Sequence, residues 1–295
     1  MKLNTKKLVK LAVMAEISHP TLRKSGYVTT SEGKVEVYPS VGGITYNFRI
    51  GDSAIDLMAD HVEPGVSTRN TGPSAGEYSP NAALNVLACI GNRAVVVTGE
   101  AKGAEGFVTG KHGGIDHVMI DFENEIMHQL NIGETIRIET FGTGLRLEDY
   151  YPDILVMNID PSLLEKLDIK PSKNSISVAV THLMPAKIMG AGIGATSAYS
   201  GDYDIQLFDK NVIKKYHLNT LRFGDIVAII DSDASHGWIY REGAVTIGII
   251  AHSNSVISGH GPGVTTILTS TKGKIKPILN KSANLKNYFG KMSLQ

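Results

Sequence analysis

The sequence predicts a β-rich α+β fold, with mixed or mainly antiparallel sheets or barrels and few short helices. Short β-branched runs recur between turn signals, helical patterns are few, and 31 of the 295 residues are glycine, against a usual share of about 7%. The runs do not alternate regularly with helices of crossover length, which disfavours a doubly wound parallel sheet.

In chain order, segments 35–38, 44–50, 93–98 and 117–122 read as strands, followed by 135–141, 176–182, 226–231 and 244–252. A helix is expected over 162–167. Asp160 stands at its N-cap, Pro161 has the fixed φ that suits a first helical position, and Leu163, Leu164 and Leu167 fall on one face. Weaker helical patterns cover 123–130 and 210–217. The Gly-rich, charged stretch 142–149 separates two strand-rich halves, so the expected domains are 1–150 and 151–295, or one integrated unit.

Lys and Arg together number 29, as do Asp and Glu, so the formal net charge is zero. That balance offers no electrostatic footprint for a phosphate backbone or an anionic bilayer, and neither nucleic acid nor membrane is an expected partner. No uncharged apolar run approaches the ~20 residues of a membrane helix. Lys10 and Glu16 interrupt the segment that a secretion signal would need. The single Cys89 sits in an apolar run and reads as a buried, inert thiol in a reducing cytoplasm. A homo-oligomer is expected on general grounds.

The histidines carry the strongest chemical signal, because several stand beside glycine, proline or acids. His61 and Glu63, two apart in extended backbone, point to one face and can converge on a cation. His112 is followed by Gly113 and Gly114, whose backbone freedom lets it approach His117 or Asp116. His260 stands between two glycines, with Pro262 next. Histidines hydrogen-bonded to carbonyls in glycine-rich turns are the alternative, since no spacing such as H-E-x-x-H is present.

Three other motifs carry less. Asp231, Asp233, Ser235 and Glu242 overlay four ligand positions of a calcium loop, but His236 replaces the turn glycine and the flanks read as strands, so a hairpin loop is expected. Gly72-Pro73-Ser74-Ala75-Gly76 matches a nucleophile elbow without a preceding strand. Gly190 to Ala195 contains G-x-G-x-x-A, yet Pro185 breaks the strand before it and no acidic partner follows at the right distance, so no nucleotide cofactor is expected.

The phrases Gly42-Gly43-Ile44-Thr45-Tyr46-Asn47, Asp60-His61-Val62-Glu63-Pro64-Gly65, Gly110-Lys111-His112-Gly113-Gly114 and Gly259-His260-Gly261-Pro262-Gly263 resemble a bacterial and archaeal family known as a domain of unknown function with N- and C-terminal parts. That resemblance spans about residues 8–270 and implies no particular activity. A fainter likeness is to acetamidase/formamidase-type amide hydrolases, in the order of His112-Gly113-Gly114 and Gly224-Asp225-Ile226-Val227-Ala228. Ile115 stands where that family has asparagine and Val227 where it has histidine, so the likeness extends only to a β-rich architecture and metal-assisted amide hydrolysis.

The expected function is therefore a metal-dependent hydrolase of a small amide or cyclic amide. His61, Glu63, His112 and either His117 or His260 would hold one divalent metal, zinc or manganese given nitrogen and oxygen ligands. Asp225 or Asp231 would be the general base, and Lys111 would bind a substrate carboxylate. The alternatives are a non-enzymatic small-molecule binding or assembly protein and a metal-free His/Asp acid-base enzyme.

Overall fold

Six antiparallel strands close into a barrel. Leu11–Ile17, Thr135–Thr140, Arg93–Val96, Glu105–His112, His117–Asp121 and Gly65–Arg69 lie side by side in that order, and Gly65–Arg69 pairs back onto Leu11–Ile17. A computed structural model of the protein describes residues 1–190 and 197–290. Alternation fills the barrel: in Thr135–Thr140, Ile136 and Ile138 are buried while Arg137 between them faces solvent. Ile136 and Ile138 meet Val66, Val108, Val118 and Ile120 in the barrel's core. Closure leaves the barrel without the unpaired edges of an open sheet.

The second half is built on a sheet in the order Leu155–Val156, Gly263–Ser270, Ile239–Ile250, Ile226–Asp233 and His182–Pro185, with Tyr203–Asp204 also pairing Gly263–Ser270. Only the contact between His182–Pro185 and Ile226–Asp233 is parallel in this sheet. A smaller sheet of Ile169–Pro171, Ile176–Val180 and Ile275–Leu279 packs nearby. The core of this half also takes in Ile50, Ala54, Ile55 and Ile90 from earlier in the chain.

Barrel and sheet meet along one seam. Every residue of Gly263–Ser270 is buried, because this strand lies against the barrel strand Glu105–His112 as well as within its own sheet. Lys111 N donates to Thr265 Oγ1 at 3.1 Å, and that hydroxyl donates to Lys111 O at 3.2 Å. Gly110 allows the close approach, since a Cβ there would stand 2.7 Å from the Ala251 Cβ.

The strand and helix expectations hold in part: of the expected strand 44–50 only Ile44–Thr45 is strand, and the barrel strands Leu11–Ile17 and Gly65–Arg69 lie outside the expected segments. Pro161–Lys166 begins at Asp160, whose carboxylate accepts from Ser162 N at 2.7 Å, and buries Leu163 and Leu164. Asn124–Met127 and Lys210–Tyr216 fall inside the two weaker patterns. The helix Pro80–Leu87 was not anticipated: Pro80 starts it, and Ser79 Oγ accepts from Ala82 N at 3.3 Å. The strands Glu105–His112 and Gly263–Ser270 also lie outside the expected segments; Gly263–Ser270 and the second half of Glu105–His112 are buried on both faces, which removes the alternation.

Two of the three weaker motifs fall in a loop and a hairpin. Residues 72–76 form a loop that follows the strand Gly65–Arg69, where the sequence predicts no strand, and in it Ala75 exchanges backbone hydrogen bonds with Tyr78 instead of raising Ser74 on a sharp strand-to-helix turn. The 231–242 segment is the hairpin between Ile226–Asp233 and Ile239–Ile250. Of the 190–195 motif, Ala191 to Ala195 lie outside the described residues. Cys89 is buried, and burial raises its thiol pKa. No helix among the described residues is long and apolar enough to cross a membrane.

Candidate metal centre

At the end of the seam, four histidines and two aspartates converge. His112 ends one barrel strand and lies opposite His117, which begins the next. A bulge between Val108 and Gly110 resets the register just before it, a device that re-aims side chains at a barrel rim. His61 is held with φ at +54° in the turn ahead of Gly65–Arg69, a left-handed conformation that costs a non-glycine residue about 1 kcal/mol. Backbone bonds from His61 N to Asn254 O and from Ser253 N to Val62 O fix this turn against the loop carrying His252 and His260. Asp202 and Asp204 flank Tyr203, whose ring turns away to stack on Trp238 at 4.5 Å.

The six side chains form two trios. In each of them, His112, Asp202 and His252 or His61, Asp204 and His260, one potential ligand atom per residue lies within 4.8 Å of the others. His252 Nε2 is 2.7 Å from Asp202 Oδ2, and His260 Nδ1 is 3.2 Å from Asp204 Oδ2. Asp204 stands between the trios: its Oδ2 is 3.9 Å from His61 Nε2 and its Oδ1 3.7 Å from His252 Nε2. Two ring nitrogens, His61 Nε2 and His260 Nδ1, face each other at 3.4 Å.

Outer partners orient the rings. Glu63 Oε1 accepts from His112 Nδ1 at 2.7 Å, leaving the lone pair of that ring on Nε2. Asp60 Oδ2 lies 3.1 Å from His61 Nδ1, while its Oδ1 accepts from Ser255 Oγ at 2.8 Å. His252 Nδ1 donates to Ser253 O at 2.9 Å. Three histidines thus have one nitrogen tethered outward and the other directed inward, the arrangement that fixes imidazole ligands around a metal. Gly263 makes room, since a Cβ there would overlap the Asp202 carboxylate and the His252 ring.

Electrostatics follow from this burial. Glu63 is fully buried, which opposes its charge, but hydrogen bonds from His112 and His117 hold its carboxyl well below the usual range. Burial lowers the pKa of His61 against the pull of Asp60. Burial also disfavours the His252 imidazolium, yet the Asp202 and Asp204 carboxylates outweigh it and raise that ring to about 9. Asp202 is pushed far down, its burial outweighed by His252. The Asp204 hydrogen bond raises His260.

The residues singled out in the sequence separate into three groups. His61, His112 and His260 come together. Glu63 and His117 lie behind them: Glu63 accepts from His112, His117, Gly42 N and Ser67 Oγ, which occupies both of its oxygens. Its place is that of an orienting group rather than a ligand. Lys111, Asp225 and Asp231 are elsewhere. Lys111 follows strand alternation away from His112, and its Nζ donates to Asn158 Oδ1 at 2.7 Å and Tyr199 O at 2.6 Å. Asp225 is bonded to Arg222 and Asn284, and Asp231 accepts from Gly243 N at the base of the hairpin. Neither aspartate lines the cavity. His252, Asp202 and Asp204 were not chosen from sequence; the Asp-x-Asp spacing, which puts both carboxylates on one face, was the available signal.

The centre opens into a cavity of about 290 Å³ whose walls include His61, His112, His260, Asp202 and Asp204. Thr21, Ser40 and Arg23 contribute polar groups, and among the described residues Arg23 is the only Lys or Arg in the lining.

Comparison with known proteins gives a family and a close structural relative. Residues 27–165 match the model described as "Domain of unknown function (DUF4438), N-terminal", and residues 166–289 its C-terminal counterpart. A solved structure, "Crystal structure of TM1086", is similar with a TM-score of 0.91 and 46% sequence identity, over 98% of this chain and 99% of that one. No curated protein matches the chain.

Proposed function

The chain belongs to this DUF4438 family, and we propose that it is a metal-dependent hydrolase of a small amide or cyclic amide, working through two adjacent divalent metals. The observation that supports this reading is the convergence of six ligand-type side chains, His61, His112, His252, His260, Asp202 and Asp204, with the outer nitrogens of three rings already tethered. His112, Asp202 and His252 would hold one metal and His61, Asp204 and His260 the other, with Asp204 between them. Zinc or manganese suits this mixture of imidazole and carboxylate.

When bound, such a pair would supply Lewis acidity toward an amide carbonyl and would lower the pKa of water at the site. The chain's own groups do the positioning. Glu63 and Asp60 keep the rings oriented, and Arg23 at the cavity wall offers a bidentate partner to a substrate carboxylate. Any carboxylate-reading role falls to Arg23, because Lys111 is buried and bonded elsewhere.

The test is release of ammonia or amine from a panel of small amides and cyclic amides by metal-reconstituted protein. The reading predicts turnover abolished by chelation and by His112→Ala or Asp204→Asn. Turnover that survives chelation would favour a metal-free acid-base enzyme using the buried Asp202–His252 pair, at 2.7 Å.

A further inference from the structure

The C-terminal half contains a second cavity, of about 840 Å³, that shares no lining residue with the metal centre. Lys215, Arg222 and Lys281 line it, together with the apolar Leu183 and Leu279 and the ring of Tyr216. Among the described residues no aspartate or glutamate lines it. Asp225 beneath the recess compensates Arg222, and the two lysines remain as a local excess of positive charge that an anion would relieve.

The cations are not equivalent. Asp225, fully buried beneath the recess, accepts from Arg222 N and from its Nη2, both at 2.9 Å, and Lys281 O accepts from the same Nη2 at 2.9 Å. The guanidinium is therefore braced in place, a pre-organisation that reduces the ordering cost of binding. Lys215 and Lys281 have no carboxylate partner among the described residues, and the Lys215 ammonium lies 5.2 Å from the Tyr216 ring centroid. Leu279, 63% exposed, extends the apolar wall at the mouth. Few precisely placed polar groups in an apolar recess are the usual make-up of a small-molecule site.

We propose that this cavity binds a small organic anion with an apolar body. Its acidic head sits among Arg222, Lys215 and Lys281, and its body lies against Leu183, Tyr216 and Leu279. The site is independent of the metal centre and of the hydrolase reading.

The experiment is fluorescence titration of the full chain with 8-anilinonaphthalene-1-sulfonate, beside N-phenyl-1-naphthylamine, which has the same ring body and no sulfonate. The expected result is one saturable sulfonate site. The neutral amine should bind about tenfold or more weakly, and K215E/K281E should weaken the sulfonate by about tenfold or more, the factor set by some 1.4 kcal/mol. Both lysines are exposed, so an unchanged circular dichroism spectrum is expected of the double variant, and His112→Ala should bind the probe as the parent does. No sulfonate binding, equal binding of the neutral amine, parent-like affinity in K215E/K281E, or loss of the probe in His112→Ala would each overturn the proposal.

Discussion

Glu63 bridges two histidines from adjacent barrel strands: its Oε1 lies 2.7 Å from His112 Nδ1 and its Oε2 2.9 Å from His117 Nδ1. Because the carboxylate fixes the His112 tautomer without facing the cavity, Glu63→Gln should weaken metal binding while leaving all six inward groups in place. The expected loss is about 10- to 100-fold in affinity, the usual effect of removing an outer partner. Competition with a chromophoric chelator measures it, and a parent-like affinity would show that Glu63 does not orient the site.

The Asp202–His252 pair sets a pH dependence. His252, at about 9 against an ordinary 6.5, is protonated at pH 7 in the metal-free protein. A metal requires the lone pair on Nε2, so loading displaces that proton, and affinity should rise about tenfold per pH unit from this group, levelling off above about 9. In the metal-free fold the sign reverses. The raised His252 contributes stability that is complete below about 6.5 and lost as pH rises through about 9, while the depressed Asp202 contributes stability lost only in strong acid. Zinc competition between pH 6 and 8 and urea unfolding of chelated protein check the two slopes; a pH-independent affinity would count against His252 as a ligand.

Gly263→Ala tests packing at the centre. The added methyl would meet the Asp202 carboxylate and the His252 ring, and overpacking of this kind costs about 1–3 kcal/mol. The expected outcome is a folded protein with metal retention reduced by at least about tenfold. Full retention would mean that Asp202 and His252 have slack the geometry does not suggest.

Arg23→Gln should leave metal content unchanged and raise KM for a carboxylate-bearing amide about tenfold or more, the loss of one charge-assisted contact. A neutral amide of the same size should be unaffected. Steady-state kinetics with such a pair decides it, and equal effects on both would remove Arg23 from substrate recognition.

How far the sequence reveals this centre depends on what each residue's neighbours encode. His61, His112 and His260 were visible because glycine, proline and acids crowd around them, the chemistry of turns at a rim. Asp202 and Asp204 were not, since their pairing across some 50 residues with His252 follows only from how Tyr203–Asp204 docks on Gly263–Ser270. The placement of Lys111 beside His112 in the sequence is misleading in a strand, where neighbours point to opposite faces. Asp225 is drawn off by Arg222 and Asn284, partners that no local spacing reveals. The fold class was more legible, because turn signals and β-branched runs are local, whereas barrel closure between Leu11–Ile17 and Gly65–Arg69 is a long-range event.

The most direct test of the central claim is elemental analysis of untagged protein purified without chelators and then reconstituted with zinc or manganese. The account predicts about two equivalents of metal per chain, falling in His112→Ala and in His61→Ala while the circular dichroism spectrum stays unchanged. Metal far below one equivalent after reconstitution, or a full complement in both variants, would contradict it.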